Sequence, residues 1–184
     1  LTSWDAAVVG QWSEDWARIT DVALVGAFTM PALLLGTDHL LSEDSRWQSW
    51  LVDSAIVLES VLVSNVAIVT LKYAIRRPRP TQYTDVAPAE TFGVLEHQLS
   101  FPSGHTAAVG AAFSATAMTW GLRHPDPVHR WVGAGGSVAL TTLTAYGRVR
   151  AGKHFPSDVI AGAILGTSFG VLVPWLHRSD TNLV

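Results

Sequence analysis

Residues 106–120 read TAAVGAAFSATAMTW, a run without formal charge and built mostly from small side chains. It does not alternate with period two, so it reads as a helix rather than a strand. Ala108 and Ala112, and likewise Gly110 and Ser114, recur four apart on one face. Small residues at that spacing let a second helix approach closely, which predicts a place at the centre of a helical bundle.

Four more apolar segments lie outward from this one, at residues 22–36, 51–71, 131–147 and 159–176. Each is too long for an ordinary strand, so the expected fold is all-α, a bundle of about five core helices. The 184 residues are 48% hydrophobic and only 15% charged, whereas a soluble domain carries about a quarter charged residues. Trp47 and Trp50 precede one segment, Trp120 and Trp175 end two others, and Trp131 opens another. Tryptophan at the ends of apolar helices is the pattern of a membrane interface, so a membrane-embedded bundle is preferred to a soluble one. The second segment contains Asp53 and Glu59, which a span must bury with partners or turn aside.

A single domain over residues 1–184 is expected. A formal net charge of −3 argues against a nucleic-acid partner, and the absence of cysteine removes disulfide and thiolate chemistry. The opening residues lack the charged-then-apolar form of a secretory leader, so none is expected in them. Instead Trp4, Val8, Trp12 and Trp16 form one stripe, which predicts an amphipathic helix over residues 1–20 with Ser3 as its N-cap. Residues 78–101, rich in Pro, Thr and acidic side chains, form the longest irregular stretch and are expected to lie as a loop over a site.

If the helices run up and down, four stretches share one end of the bundle: LKYAIRRPRP (71–80), FPSGHT (101–106), YGRVRAGKH (146–154) and HFPSD (154–158). Lys72, Arg79 and Arg148 bring positive charge to that end. Ser103, Gly104 and His105 open a helix whose first N–H groups lack intrahelical partners, and Gly104 allows close backbone approach. A helix N-terminus ringed by cations suits a phosphate. Taken singly, Arg76, Arg77 and Arg79 read as ordinary charge beside a membrane, and PSGHT as a cap with an idle histidine; the convergence carries the reading.

His154 is followed four residues later by Asp158, with Pro156 between them placing a helix start. Asp158 is positioned to accept a hydrogen bond from one imidazole nitrogen and leave the other as a lone pair, for a nucleophile or a metal ligand. A metal held by His105, His154 and Asp158 is the competing reading; three nearby cations oppose it, so neither metal nor cofactor is expected. His39, His97, His124, His129 and His177 are expected to be loop or helix-end residues without comparable partners.

Lys72 with Arg79-Pro80, then Pro102-Ser103-Gly104-His105, then Arg148 with His154 and Asp158 resemble, in order and spacing, the three-part signature of the type 2 phosphatidic acid phosphatase superfamily. Bacterial acid phosphatases and vanadium haloperoxidases share that signature. The resemblance implies a helical bundle in which His154 attacks phosphorus to give a phosphohistidine, Asp158 orients His154, and His105 protonates the leaving oxygen and later activates water. Lys72, Arg79, Ser103, Gly104 and Arg148 would hold the phosphoryl oxygens. Gly147 departs from the family serine before the third-motif arginine, and weakened or retuned phosphate binding is expected there.

The expected activity is thus metal-independent hydrolysis of a lipid phosphate or lipid pyrophosphate, in a membrane, with the site on the extracytoplasmic face by likeness to bacterial relatives. A soluble acid phosphatase acting on small phosphomonoesters, a vanadium-dependent haloperoxidase and a non-catalytic phosphate-binding module are the alternatives.

Overall fold

The computed structural model describes residues 1–42, 47–86, 95–124 and 126–178. Six α-helices occur among them: α1 (Ser3–Ala6), α2 (Glu14–Leu41), α3 (Trp47–Ile75), α4 (Gly104–Arg123), α5 (Pro127–Arg150) and α6 (Pro156–Leu176). Two 3-10 turns, Pro80–Tyr83 and Leu95–Gln98, lie between α3 and α4. The expected all-α bundle is present, and each of the five apolar segments lies inside one long helix.

Local chemistry sets the boundaries. Ser13 caps α2 through Trp16 N–H at 3.4 Å, with Glu14 and Asp15 in the first turn where the helix dipole favours anions. Asp126 caps α5 through Val128 N–H at 2.8 Å, followed by Pro127 at the first helical position. Pro156 likewise opens α6, and Asp158 three residues into that cap accepts the Phe155 N–H at 2.9 Å.

The stretch from Thr106 onward is central, as its small residues predict. α4 packs against α2, α3, α5 and α6, and Ala107, Ala111, Ala112 and Ala115 are fully buried. The closest approach also needs glycine on the partner. A Cβ on Gly166 of α6 would fall on the carbonyl oxygen of Ala107, and one on Gly162 or Gly170 would meet those of Ser103 or Ala111. Those three glycines, spaced four apart, let α6 lie directly on the α4 backbone, which fixes how the two helix starts meet.

α2, α6 and the helical stretch beginning at Trp47 are long and apolar enough to cross a bilayer. Their outer faces carry exposed Val22, Leu62, Val66 and Ile164. Apolar faces of that extent are costly in water and suit bilayer hydrocarbon, and the chain is an integral membrane protein. The charges in the second segment are accommodated: Asp53 is fully buried and accepts from Arg123 Nε and Nη2, each at 2.6 Å, while Glu59 lies 3.4 Å from His177 Nε2.

The N-terminal amphipathic helix over residues 1–20 does not form as one piece. Thr2, not Ser3, caps the four-residue α1, the chain turns at Gly10 with φ +92°, and Ser13 begins α2. The stripe fails because a left-handed glycine and a strong N-cap interrupt it. Trp16 instead packs edge-on against Tyr146 of α5, ring centroids 5.3 Å apart, and Lys153 lies over the Trp12 ring.

Several histidines also have partners that the sequence did not suggest, toward the bundle end remote from the phosphate motifs. His39 Nε2 is 3.1 Å from Asp53 Oδ2, and His124 Nε2 is 2.9 Å from Asp38 Oδ2.

Candidate active site

The start of α4 and the start of α6 are tied together by backbone: Ser103 N–H donates to Asp158 C=O at 2.9 Å. This brings the PSGHT and HFPSD stretches side by side. The end of α3 joins them through Lys72 Nζ, which donates to Leu99 C=O at 2.5 Å, and through Ser100 N–H, which donates to Arg77 C=O at 2.8 Å. Arg148 enters from the last turn of α5 and His154 from the connection to α6.

His154 is buried at 1% exposure, and its Nδ1 has no hydrogen-bond partner. Arg148, Arg79, Lys72 and His105 all act electrostatically on it. Burial and then these four neighbours push its proton affinity well below the ordinary 6.5, so the imidazole is held neutral. Arg79 and Arg148 are also buried, and the Nε of each lacks a partner. Arg79 Nη2 donates to Glu96 Oε1 at 2.9 Å, and its backbone N–H to His97 C=O at 2.9 Å. Burial and the Arg79 charge also lower the proton affinity of His97. A buried cluster with unpaired guanidinium donors around a neutral imidazole is built to receive an anion.

Two expected contacts differ. Asp158 Oδ2 lies 3.6 Å from His154 Nδ1, beyond hydrogen-bond reach. That oxygen already accepts from Ser100 Oγ at 2.5 Å and from Phe155 N–H, while Oδ1 accepts from Arg77 Nη1 at 2.5 Å. Asp158 therefore sits beside His154 as a hub rather than as its direct hydrogen-bond partner. Ser103 is fully buried, with Oγ 3.0 Å from Thr106 Oγ1 and capping the Thr106 N–H, so its hydroxyl serves the helix start. Gly104 begins α4, and a Cβ there would lie 3.8 Å from Lys72 Cε, so this backbone faces the lysine.

Sequence reasoning missed several members. Arg77, read as membrane-flanking charge, bridges Asp158 and Asp5 by donating from Nη2 to Asp5 Oδ2 at 2.8 Å, and its guanidinium stacks 4.2 Å over the Phe155 ring. Asp5 also accepts from Ser157 N–H and Oγ at 3.1 and 2.7 Å, so α1 clamps the start of α6. Burial raises the Asp5 carboxyl, but the hydrogen bonds from Arg77 and Ser157 outweigh it and hold the group below the usual carboxylate range. Asp21 and Thr20 of α2 reach the other side. Asp21 Oδ1 lies 2.9 Å from His105 Nε2 and accepts from Arg148 Nη1 at 3.3 Å, and Thr20 Oγ1 accepts from Arg148 at 3.2 Å. Only Ser100 carried a signal, its place directly before FPSGHT.

Gly147 now has a structural reason. A Cβ there would lie 2.6 Å from Thr20 Cγ2 and 3.0 Å from Trp16 Cε3. The side chain absent from α5 leaves room for α2, whose Thr20 hydroxyl then meets Arg148.

Of the expected loop over the site, Arg79 joins residues 78–86 to 95–101 through its bonds to His97 and Glu96, Leu99 meets Lys72 of α3, and residues 87–94 lie outside those described. Among the described residues, no group of three or more His, Asp or Glu side chains is arranged to hold a metal ion.

The PAP2 superfamily model matches residues 53–181, from early in α3 past the end of α6. The chain is 35% identical over 129 residues to a lipid A 1-phosphatase of Rhizobium johnstonii, covering 67% of this chain and 47% of that protein. It is 30% identical over 152 residues to a decaprenylphosphoryl-5-phosphoribose phosphatase of Mycobacterium tuberculosis, covering 83% of this chain and 67% of that one. The chain thus spans about half the length of the Rhizobium lipid A 1-phosphatases it matches. A transmembrane PAP2-type phosphatidylglycerolphosphate phosphatase from Bacillus subtilis shares the fold with a TM-score of 0.66 at 23% identity, over 95% of this chain and 82% of that one. With the three motifs gathered at one end of the bundle and the family match running through all of them, the chain belongs to the PAP2 superfamily.

Proposed function

We propose that the chain is a phosphatase that hydrolyses a lipid phosphate or lipid pyrophosphate through a phosphohistidine, without a metal ion. The observation that carries this reading is His154, buried and held neutral, with Lys72, Arg79 and Arg148 arrayed around it.

In the first step Nε2 of His154 donates its lone pair to phosphorus as the bond from phosphorus to the lipid oxygen breaks. That oxygen takes a proton from His105. In the second step His105 accepts a proton from water, whose oxygen attacks phosphorus; the phosphorus to nitrogen bond breaks, and inorganic phosphate leaves with His154 restored. Phosphoryl transfer asks for positioning and for stabilisation of charge on the equatorial oxygens, and the three cations with the first N–H groups of α4 supply both. Asp158 keeps His154 placed through the α6 cap. The names of the relatives, phosphatases of a lipid A phosphate and of a decaprenylphosphoryl sugar phosphate, support a lipid-borne phosphate. The apolar spans favour the membrane reading over a soluble acid phosphatase.

The test is phosphate release from phosphatidic acid by purified protein in detergent with EDTA present. Release is expected from the wild type and is lost in His154→Gln; release that needs added divalent metal contradicts the metal-independent route. The site faces away from the cytoplasm in this reading. The chain has no cysteine, so Asp85→Cys, at an exposed position six residues after Arg79, should react with a membrane-impermeant maleimide on intact cells. Labelling only after lysis would reverse the orientation.

A further inference from the structure

At the end of the bundle remote from the phosphate motifs, Arg130 of α5 and Arg178, just past α6, border one cavity of about 400 Å³ between α4, α5 and α6. Both side chains are exposed. Arg130 Nε donates to Gly121 C=O at a long 3.5 Å, and the Arg178 guanidinium stacks 4.9 Å over the Trp175 ring. Among the described residues no carboxylate pairs with either. Arg123, at the same end, is by contrast held by Asp53 through two hydrogen bonds. Two arginines at the mouth of this cavity therefore keep their charge free.

Small side chains make the space beneath them: Ala117 and Gly121 on α4, and Ala134 and Ser137 on α5. Toward the phosphate motifs it is closed. Ser114 Oγ lies 2.8 Å from Ser137 Oγ, and a Cβ on Gly170 would lie 2.9 Å from Ser114 Cβ, so α4, α5 and α6 meet at that level. From Ser114 to Leu122 the cavity runs about 12 Å along α4, at about 1.5 Å per residue, which is less than half of a hydrocarbon core of about 30 Å. Val138 of α5 and Val171 of α6 line it and are also exposed, so it opens sideways to the bilayer. Trp131 beside Arg130, and Trp175 under Arg178, set its mouth at the membrane interface. The cavity thus lies within one leaflet, with a cationic mouth, apolar walls and a side open to lipid.

We infer that this cavity binds an anionic phospholipid of the leaflet opposite the phosphate motifs, with its phosphodiester at Arg130 and Arg178 and an acyl chain between α4, α5 and α6. Charge complementarity selects the occupant. Guanidinium forks match phosphate oxygens, and cationic side chains at the interface favour anionic over zwitterionic lipid. A neighbouring cavity of about 380 Å³ between α2, α4 and α5 has similar apolar walls, but Asp38 borders it and no arginine lines it. This lipid is a bound component and not a substrate, since its site lies at the other end of the helices from His154. Its chain fills space between α5, which carries Arg148, and α6, which begins beside His154.

Native mass spectrometry of the full chain in detergent reads occupancy directly, with phosphatidylglycerol or phosphatidylcholine of the same acyl chains added. Phosphatidylglycerol is a phosphodiester without a terminal phosphate, so it reports binding without presenting the group that the proposed reaction removes. The wild type is expected to retain one phosphatidylglycerol at roughly tenfold lower lipid concentration than phosphatidylcholine. Equal retention of the two lipids overturns the inference, and that comparison needs no variant. Arg130→Gln/Arg178→Gln should abolish the preference. Ala134→Leu, which adds bulk to the cavity from an exposed position, should weaken retention of phosphatidylglycerol by about tenfold. Both variants should turn over p-nitrophenyl phosphate at the wild-type rate, which reports that they are folded. Glycerophosphoglycerol, the same headgroup without tails, should compete poorly; competition equal to that of the intact lipid makes the arginines a simple anion site and overturns the tail assignment. A preference lost in Lys72→Gln but kept in the arginine double variant places the lipid among the phosphate motifs and overturns the site. A dimer that dissociates in Ala134→Leu, with no lipid retained by the wild type, makes this face a contact between copies and likewise contradicts it. The phosphatase reading fails separately, if His154→Gln still turns over p-nitrophenyl phosphate.

Discussion

Asp21 Oδ1 and His105 Nε2 lie 2.9 Å apart, and the same carboxylate oxygen also accepts from Arg148. One exposed acid on α2 thus holds His105 of α4, the proposed proton donor, against Arg148 of α5, a proposed phosphate ligand. Its removal should leave both side chains present but less well placed. We predict that Asp21→Asn lowers kcat by about tenfold, the worth of one charge-assisted hydrogen bond, with a smaller change in KM. Asp21→Glu should keep more of the rate than Asp21→Asn. A faster Asp21→Asn enzyme would mean that the carboxylate competes with substrate instead of positioning its partners.

Gly147 and Thr20 should behave as a coupled pair. Replacing a helical glycine by alanine ordinarily stabilises by about 1 kcal/mol. Here the added Cβ would lie 2.6 Å from Thr20 Cγ2, so Gly147→Ala should instead destabilise by about 1–3 kcal/mol through overpacking. Thr20→Ser removes that methyl and keeps the hydroxyl for Arg148, so the double variant should recover part of the loss. Thermal unfolding in detergent reads both, and strictly additive effects would show that α2 and α5 are not in contact at this point.

Arg77 compensates two buried carboxylates, Asp5 and Asp158. Arg77→Ala strands both and should cost about 3 kcal/mol or more in stability. Arg77→Lys should restore only part, because one ammonium cannot reproduce the fork that spans two acids. The Asp5 contribution has a defined pH sense. Its carboxyl is held below the unfolded value of 3.8, so the stability it gives is present above that pH and is lost as pH falls through the folded value. Asp5→Asn should flatten the acid limb of the unfolding profile, and an unchanged limb would remove Asp5 from the clamp.

His154 should resist protonation. Burial, Arg148, Arg79 and Lys72 all favour the neutral ring, so at pH 6, where an ordinary histidine is largely charged, His154 is expected to stay neutral. Histidine-selective ¹⁵N NMR, with the resonance assigned by its loss in His154→Gln, checks this without the substrate's own titration. An imidazolium signature at pH 6 would contradict the electrostatics assigned to the site.

The bundle was legible because apolar length and small-residue spacing are local properties, and both are strong in residues 106–120. The three motifs were legible because phosphate chemistry demands particular residue types and the family spacing keeps them recognisable. The rest depends on contacts across long sequence distances. Nothing near Asp5 or Asp21 signals that each meets a residue more than 70 positions away, as Asp5 meets Arg77 and Asp21 meets His105. The role of Arg77 was hidden by its neighbours, since Arg76 beside it is exposed and fits the reading of membrane-flanking charge. The N-terminal stripe misled because hydrophobic spacing alone does not reveal that Gly10 takes a positive φ. Gly147 looked like a loss when read along the chain, and only the crossing of α2 shows what stands in that space.

The covalent step is the central claim, and trapping tests it most directly. In His105→Gln, transfer to His154 is slowed by the missing acid and hydrolysis by the missing base, so phosphoprotein should accumulate during turnover of a substrate whose leaving group needs no proton, such as p-nitrophenyl phosphate. Mass spectrometry of protein quenched under alkaline conditions, where a phosphorus to nitrogen bond persists, should place one phosphoryl group on His154, absent from the His105→Gln/His154→Gln double variant. Phosphate found on another residue, or full phosphate release by His154→Gln with no phosphoprotein in any variant, would contradict the account.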